Sequence, residues 1–303
     1  MRVFLFPGQG SLRPAMGAPW VDTPSWAVVE RLSAVLGRDL GELLVSADAS
    51  TLQQTRNAQP ATFALSLVAL DRLRAGGVKA DAVAGHSLGE YTALVAAGAL
   101  DEAEAMRLVG ARGEAMQAAS ETNPGTMAAV IGLDPDPVAE ACAEGDGAWI
   151  ANDNAPGQIV IAGTSEGIAG AGDAAKRRGA TRVLPLAVGG AFHSPLMAPA
   201  QPALDAALES APFASPDLPV VANVDAEVHA DDGWRPLLAA QLCQPVRWRQ
   251  SLMSLARLGA TEFVELGPGD ALSGMVKRTV PGAARHSAAT PESVDAVAAA
   301  LKA

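Results

Sequence analysis

Ala82-Val83-Ala84-Gly85-His86-Ser87-Leu88-Gly89 runs from an apolar stretch through a G-x-S-x-G pentapeptide into a helix-forming run, Tyr91 to Leu100. A strand, a sharp turn and a helix in that order hold a serine hydroxyl exposed for nucleophilic attack. The backbone N–H of the next residue, Leu88, can then serve an oxyanion at the start of the helix. Glycines at 85 and 89 leave room for the bend. Three fixed positions arise by chance in a chain this rich in Gly and Ala, so the flanking strand and helix carry the reading; the alternative is an ordinary turn.

Outward from this stretch, strand-like and helical runs alternate: Val3 to Phe6, Trp26 to Leu36, Pro60 to Leu73, then the pentapeptide itself. Such alternation specifies an α/β layer structure with a largely parallel sheet. Pro60 suits the first turn of its helix, where a missing N–H costs nothing. Asp101 with Glu104 reads as a capping box opening a helix that ends at Asn123-Pro124-Gly125.

From Gly125 to about Leu186 the pattern changes. Thr126 to Leu133, Ala148 to Ala151, Gln158 to Ala162 and Arg182 to Leu186 read as strands, with helices over Pro135 to Ala143 and Ser165 to Arg178. The order βαββαβ is that of a ferredoxin-like unit. The expected architecture is therefore an α/β-hydrolase-like large subdomain, residues 1–124 and 189–303, with a ferredoxin-like small subdomain, residues 125–188, inserted into it. Beyond His193 the large subdomain resumes with a helix around Pro199 to Glu209, strands near Val220 to Asn223 and Glu262 to Leu266, and a turn at Gly267-Pro268-Gly269.

Composition narrows the class. The chain has 303 residues, 49% of them apolar and 18% charged, which fits a soluble enzyme with a substantial core. Pro7 and Gly8 interrupt the apolar start before it reaches signal-peptide length, and no run is long enough to span a membrane, so a cytoplasmic protein is expected. Cys142 and Cys243 show neither C-x-x-C nor Cys/His ligand spacing, so neither a zinc site nor a disulfide framework is expected. Cys142 reads as a packed helix residue. A net charge of -11 disfavours nonspecific nucleic-acid binding.

A serine hydroxyl must hand its proton to a base, usually histidine. The chain has His86, His193, His229 and His286. His86 is adjacent to Ser87, and neighbouring side chains diverge at such a turn. His229 lies in an acidic loop, where a solvated ring is expected, and His286 in a polar segment near the C-terminus. His193 follows Gly189-Gly190-Ala191-Phe192 at the boundary between the subdomains, where clefts form, and is the candidate base; packing or capping is the alternative role. No Asp or Glu between Ser87 and His193 stands out as the third member of a triad, and a backbone carbonyl can orient the ring instead.

Seven segments together then resemble one family. They are Phe6-Pro7-Gly8-Gln9-Gly10-Ser11, Gly85 through Glu90, Arg112-Gly113 with Met116, Asn152 through Ala162 with Pro156-Gly157-Gln158, Phe192-His193-Ser194, Gln241 with Pro245-Val246, and Glu265-Leu266-Gly267-Pro268-Gly269. In order, and over nearly the whole chain, they resemble the malonyl-CoA:acyl carrier protein transacylases. The resemblance implies ping-pong transfer of malonyl from CoA to the phosphopantetheine thiol of acyl carrier protein, through an ester on Ser87, with His193 as base and then acid. It implies oxyanion donors at the N–H groups of Gln9 and Leu88, and a main-chain carbonyl near Gln241 that orients His193. It makes Arg112 the carboxylate-binding residue and places Phe192 and Gln59 at the substrate. No cofactor or metal is implied, since malonyl-CoA is a substrate.

Chemistry supports Arg112 independently, because a guanidinium clamps a free carboxylate with charge-assisted bonds that a neutral acyl chain cannot return. Its alternative is an exposed helical arginine; for Phe192 it is core packing, and for Gln59 a helix cap. Leu12, Gly189 and Gln244 depart from the family's usual Gln, Ser and Asn. Acyl carrier proteins are acidic, as this chain is, so docking calls for a local basic patch. Lys176-Arg177-Arg178 with Arg182, and Lys277-Arg278, are candidates, with solvated helix ends as the alternative. Loading of a polyketide synthase in trans fits the same motifs, while a carrier-protein acyl hydrolase or a non-catalytic carrier-binding subunit fits them less well. The sequence leaves the oligomeric state open, and a monomer is compatible with it.

Overall fold

The computed structural model describes residues 1–302. Among them ten strands form two sheets: β1 (Arg2–Phe6), β2 (Ala82–Gly85), β3 (Thr126–Ile131), β4 (Ala148–Ala155), β5 (Gln158–Gly163), β6 (Arg182–Pro185), β7 (Val220–Val221), β8 (Val228–His229), β9 (Glu262–Leu266) and β10 (Ala284–Ala288). The larger sheet has the order β10-β9-β1-β2-β7-β8 and is parallel except for β8 at its edge. The smaller is antiparallel, in the order β4-β5-β3-β6. The fold is thus mixed α/β with one parallel and one antiparallel sheet.

The apolar run in β1 explains its central place. Phe4 and Phe6 face a core shared with the Thr55–Ala75 and Glu102–Thr122 helices. Val3 and Leu5 face the other way, onto Trp248, Leu252 and Leu255 of the Trp248–Arg257 helix. A strand buried on both faces has no polar alternation to display. The two sheets are tied by Val246, whose N–H donates to Ala151 O at 2.8 Å and whose carbonyl accepts from Asp153 N–H at 2.9 Å. Arg249 then clamps the Asp153 carboxylate, with Nη2 2.8 Å from Oδ2.

Several sequence expectations shift. Pro60 is not in the first turn: its helix begins at Thr55, and Pro60 lies inside. The carbonyl that Pro60 leaves without a helical donor is that of Arg56, and Arg38 Nη1 donates to it at 3.1 Å, so a side chain from elsewhere replaces the missing bond. Gln59 is consequently mid-helix and caps nothing. The helix after the pentapeptide spans Gly89–Ala96 rather than reaching Leu100, because Gly98, at φ 77°, turns the chain out. Asp101 caps its helix through Ala103 N–H, but Glu104 pairs with Arg107 instead of closing a capping box. The polar residues Asn152 to Asn154 extend β4, leaving only Pro156-Gly157 as the turn. The segment before Gln201–Ser210 is a 3-10 helix, Pro195–Ala200.

Candidate active site

The carboxyl ends of β1 and β2 meet where the chain leaves the sheet, the usual location of a site in an open α/β sheet. A cleft of about 380 Å³ opens there, between Pro7 to Ser11 after β1, His86 and Ser87 after β2, and the inward face of the smaller sheet. Gly85 and Gly89 are required by close approach. A Cβ at Gly85 would lie 1.8 Å from Gly89 O, and one at Gly89 would lie 2.0 Å from Phe6 O. Ser87 between them has φ 54°, a left-handed conformation that costs a non-glycine residue about 1 to 3 kcal/mol. Asn223 holds this bend from outside: its Oδ1 accepts Ser87 N–H at 2.7 Å and its Nδ2 donates to Gly85 O at 2.7 Å. Gly89→Ala is expected to lower stability by roughly 1 to 3 kcal/mol or more, because the clash is with backbone; thermal unfolding measures it.

Ser87 Oγ lies 2.7 Å from His193 Nε2, and His193 Nδ1 lies 2.8 Å from the main-chain carbonyl of Gln241. A carbonyl only accepts, so Nδ1 carries the hydrogen and Nε2 presents a lone pair to the serine. No carboxylate takes part. His193 also has positive φ, 58°, so both members of the pair sit in strained backbone. Burial, reinforced by the charge of Arg112, pushes the His193 pKa down to about 3, so the ring is neutral at ordinary pH.

Arg112 projects from the Glu102–Thr122 helix and is 1% exposed. Its Nη1 donates to Gln59 Oε1 at 2.8 Å, and its Nη2 donates to Gln241 Oε1 at 2.9 Å and to Ser87 Oγ at 3.2 Å. Both glutamines act as neutral acceptors, and Nε has no partner. The guanidinium lies 5.5 Å from the centre of the Tyr91 ring. A buried cation held by amides is poised for an anion.

Phe192 is buried, and with Met116, Met127, Val160 and Leu186 it makes the apolar part of the cleft wall. Gln9 lies at the cleft in a short 3-10 turn, and Leu88 N–H begins the helix after Ser87. Among the described residues neither Gln9 N–H nor Leu88 N–H meets a backbone acceptor. Glu265, buried in β9, accepts N–H bonds from Leu272 and Ser273 and so anchors the Ala271–Thr279 helix, whose Leu272 and Met275 close the cleft.

The other histidines stand apart from this pair. His86 Nε2–H donates to Asn154 Oδ1 at 2.9 Å, and the ring meets Trp248 edge-on. His229 is not a solvated loop residue: it is half-buried in β8, 3.0 Å from Asp225 and edge-on to Trp234. His286 lies in β10, 3.5 Å from Glu262. Of the basic patches, Lys176 pairs with Asp173, and Arg177 and Arg178 pair with Glu144, so that cluster is largely neutralised. Arg278 donates to Gln158 at the cleft edge. Among the described residues no cluster of three His, Cys, Asp or Glu could hold a metal, and no helix is long and apolar enough to cross a membrane.

Three residues with no assigned role in the sequence reading converge on this site. Asn223 supports the turn, Asn154 holds His86, and Glu90 is 1% exposed beneath the nucleophile. The sequence does carry a signal for Glu90, since it is the only Asp, Glu, Lys or Arg between Asp81 and Asp101 in a run of mostly apolar and small residues.

Residues 3–298 match the model of the acyl transferase domain family. The malonyl CoA-acyl carrier protein transacylase of Escherichia coli (strain K12) is 44% identical over 287 residues, covering 91% of this chain and 92% of that one. The chain belongs to that transacylase family. An acyl-carrier-protein S-malonyltransferase from Burkholderia pseudomallei 1710b superposes with a TM-score of 0.94 at 40% identity, covering 98% of this chain and 99% of the other. A type II PKS acyl-carrier protein in complex with its malonyl-transacylase provides a further match, with a TM-score of 0.94 at 38% identity and 99% coverage of both chains. In this transacylase chain Leu12, Gly189 and Gln244 contribute no side chain to the hydrogen bonds around Ser87 and His193.

Proposed function

We propose that the chain transfers malonyl groups from CoA to the phosphopantetheine thiol of an acyl carrier protein. The observation that carries this reading is the single guanidinium group, Arg112, hydrogen bonded to the hydroxyl of a Ser–His pair. Ser87 and His193 are the catalytic pair. Ser87 Oγ gives its proton to His193 Nε2 and attacks the thioester carbonyl; the C–S bond then breaks, and His193 returns the proton to the departing CoA thiolate. A malonyl ester remains on Ser87. In the second half the carrier thiol gives its proton to His193, its sulfur attacks the ester, and the proton returns to Oγ as the C–O bond breaks.

The N–H groups of Leu88 and Gln9 receive the oxyanion of both tetrahedral intermediates, a contribution of about 10²-fold to 10³-fold per donor. Gln241 orients His193 through its carbonyl, and Gln59 orients Arg112. Phe192 bounds the space beside the acyl chain. The acyl carboxylate on Arg112 also removes much of the positive field that depresses His193, so the base strengthens when the right substrate is bound. No cofactor enters any step. The larger sheet with residues 1–124 and 189–303 is read as an α/β-hydrolase-like subdomain, and residues 125–188 as a ferredoxin-like one that roofs the cleft.

Arg112→Ala is expected to weaken malonyl transition-state binding by roughly 1.5 to 3 kcal/mol while acetyl transfer is relatively spared. Comparing kcat/KM for malonyl-CoA and acetyl-CoA in the variant measures this, and equal losses contradict the clamp. Fatty-acid and polyketide carriers present the same thiol. The complex of a related transacylase with a type II PKS carrier supports including polyketide carriers among the acceptors, and transfer rates to each carrier class distinguish the two.

A further inference from the structure

The Ser87–His193 pair leaves the buried Glu90 carboxyl unused. Glu90 lies in the first turn of the Gly89–Ala96 helix that follows Ser87, and both its oxygens accept N–H bonds. Asn223 N–H donates to Oε1 at 2.8 Å, and Gln241 Nε2 donates to Oε2. These two partners are the residues that shape the site. Asn223 bridges Gly85 and Ser87 across the strained bend. Gln241 holds His193 through its carbonyl, Arg112 through Oε1, and Ser87 O through Nε2 at 3.0 Å. The Gln241 amide therefore lies between opposite charges, oxygen toward the guanidinium and nitrogen toward the carboxylate, which fixes its orientation. Arg112 and Glu90 form no direct ion pair; the amide connects them.

We propose that Glu90, acting as a carboxylate, is the positioning residue for both Ser87 and Arg112, and that its protonation slows acylation of the serine. This rests on the transferase reading above. A proton on either oxygen removes the charge that both donors face and makes that oxygen a poor acceptor, so it weakens the bond to Asn223 N–H or to the Gln241 amide. Releasing the Gln241 amide frees the nitrogen that holds Ser87 O and the oxygen that holds Arg112, while the main-chain carbonyl that orients His193 stays with the Trp234–Gln241 helix. The charged and titratable groups facing Glu90 are Arg112 from the Glu102–Thr122 helix, Asp225 from the turn between β7 and β8, and Tyr91 beside it. The Thr55–Ala75 helix contributes only the neutral Gln59 to this cluster. Burial raises the Glu90 pKa to about 8, against the opposing hydrogen bonds from Asn223 and Gln241 and the charge of Arg112, with Asp225 adding to the rise. His193, held near 3, contributes no ionisation in that range. Acylation therefore increases as pH rises through the neutral and weakly alkaline region.

The test is the single-turnover rate of Ser87 acylation by malonyl-CoA, from about pH 6 to about pH 10, which avoids ionisation of the acceptor thiol. The wild-type rate is expected to rise through one ionisation. Glu90→Gln, whose amide cannot accept from both partners, is expected to be about 10-fold to 100-fold slower at the alkaline end and flat with pH. A purely structural role would lower the rate and leave the pH profile unchanged. A Glu90→Gln profile that rises as the wild type does, or a flat wild-type profile, overturns the proposal. Infrared difference titration adds a direct reading: a buried carboxylic acid band fades over the same pH range in the wild type and is missing from Glu90→Gln, which separates it from the buried Glu265; no such band in the wild type, or its persistence in the variant, also overturns the proposal. An adduct that forms without pH dependence removes only the role of Glu90, whereas no adduct from malonyl-CoA at any pH removes the transferase reading and this one together.

Discussion

Ser87→Ala protein mixed with malonyl-CoA is expected to form no acyl adduct and to transfer malonyl at a rate lower by on the order of 10⁴ to 10⁶. On the proposed ping-pong path nothing replaces the nucleophile: the Leu88 and Gln9 N–H groups and Arg112 offer only hydrogen bonds, and none of them can attack the thioester. The fold is expected to survive. The strain at Ser87 belongs to its backbone, at φ 54°, and alanine inherits it without adding to it. The bonds lost are those of Oγ to His193 and Arg112, while the Ser87 N–H bond to Asn223 and the carbonyl bond from Gln241 remain. An unchanged unfolding temperature beside an abolished rate assigns the loss to chemistry. Retained transfer would rule out the ester intermediate.

His193→Ala is expected to slow both half-reactions by about 10² to 10⁴. The proposed mechanism asks two things of the ring that no neighbour duplicates: Nε2, 2.7 Å from Ser87 Oγ, is to take its proton, and Nδ1–H, bonded to Gln241 O, leaves Nε2 as the free lone pair. His86 does not substitute, since its Nε2 is committed to Asn154 and its ring is stacked edge-on with Trp248. Rapid-quench measurement of acylation by malonyl-CoA, and separately of transfer from preformed malonyl-enzyme to a carrier thiol, checks both halves. A base serves in both, so a deficit confined to one half contradicts its assignment.

The pair itself was legible in the sequence for physical reasons. The pentapeptide demands glycine at two positions because backbone passes within contact of each, and that demand leaves a fixed spacing. His193 emerged because the chain has few histidines and only one follows a glycine-rich boundary. Pro60 misled because the residue that repairs its helix, Arg38, is remote in sequence. Glu90 and Asn223 escaped a role for a related reason: their partnership exists only because β7 lies beside β2, a pairing that no local pattern announces. The Trp248–Arg257 helix had a readable signal, with Trp248, Leu252 and Leu255 at helical spacing, and it was the other face of the core that this helix supplied. Arg112 was legible as a residue of the right chemistry, but its burial among amides appears only when three distant segments meet.

Intact-mass measurement of the protein after brief exposure to malonyl-CoA and, in parallel, acetyl-CoA tests the central claim most directly. The account predicts a lasting adduct of one malonyl group, located on Ser87, with far less acetyl adduct, and its disappearance when carrier thiol is added. No adduct with steady release of free malonate, or equal labelling by both donors, would contradict an acyl transferase that selects its substrate through Arg112.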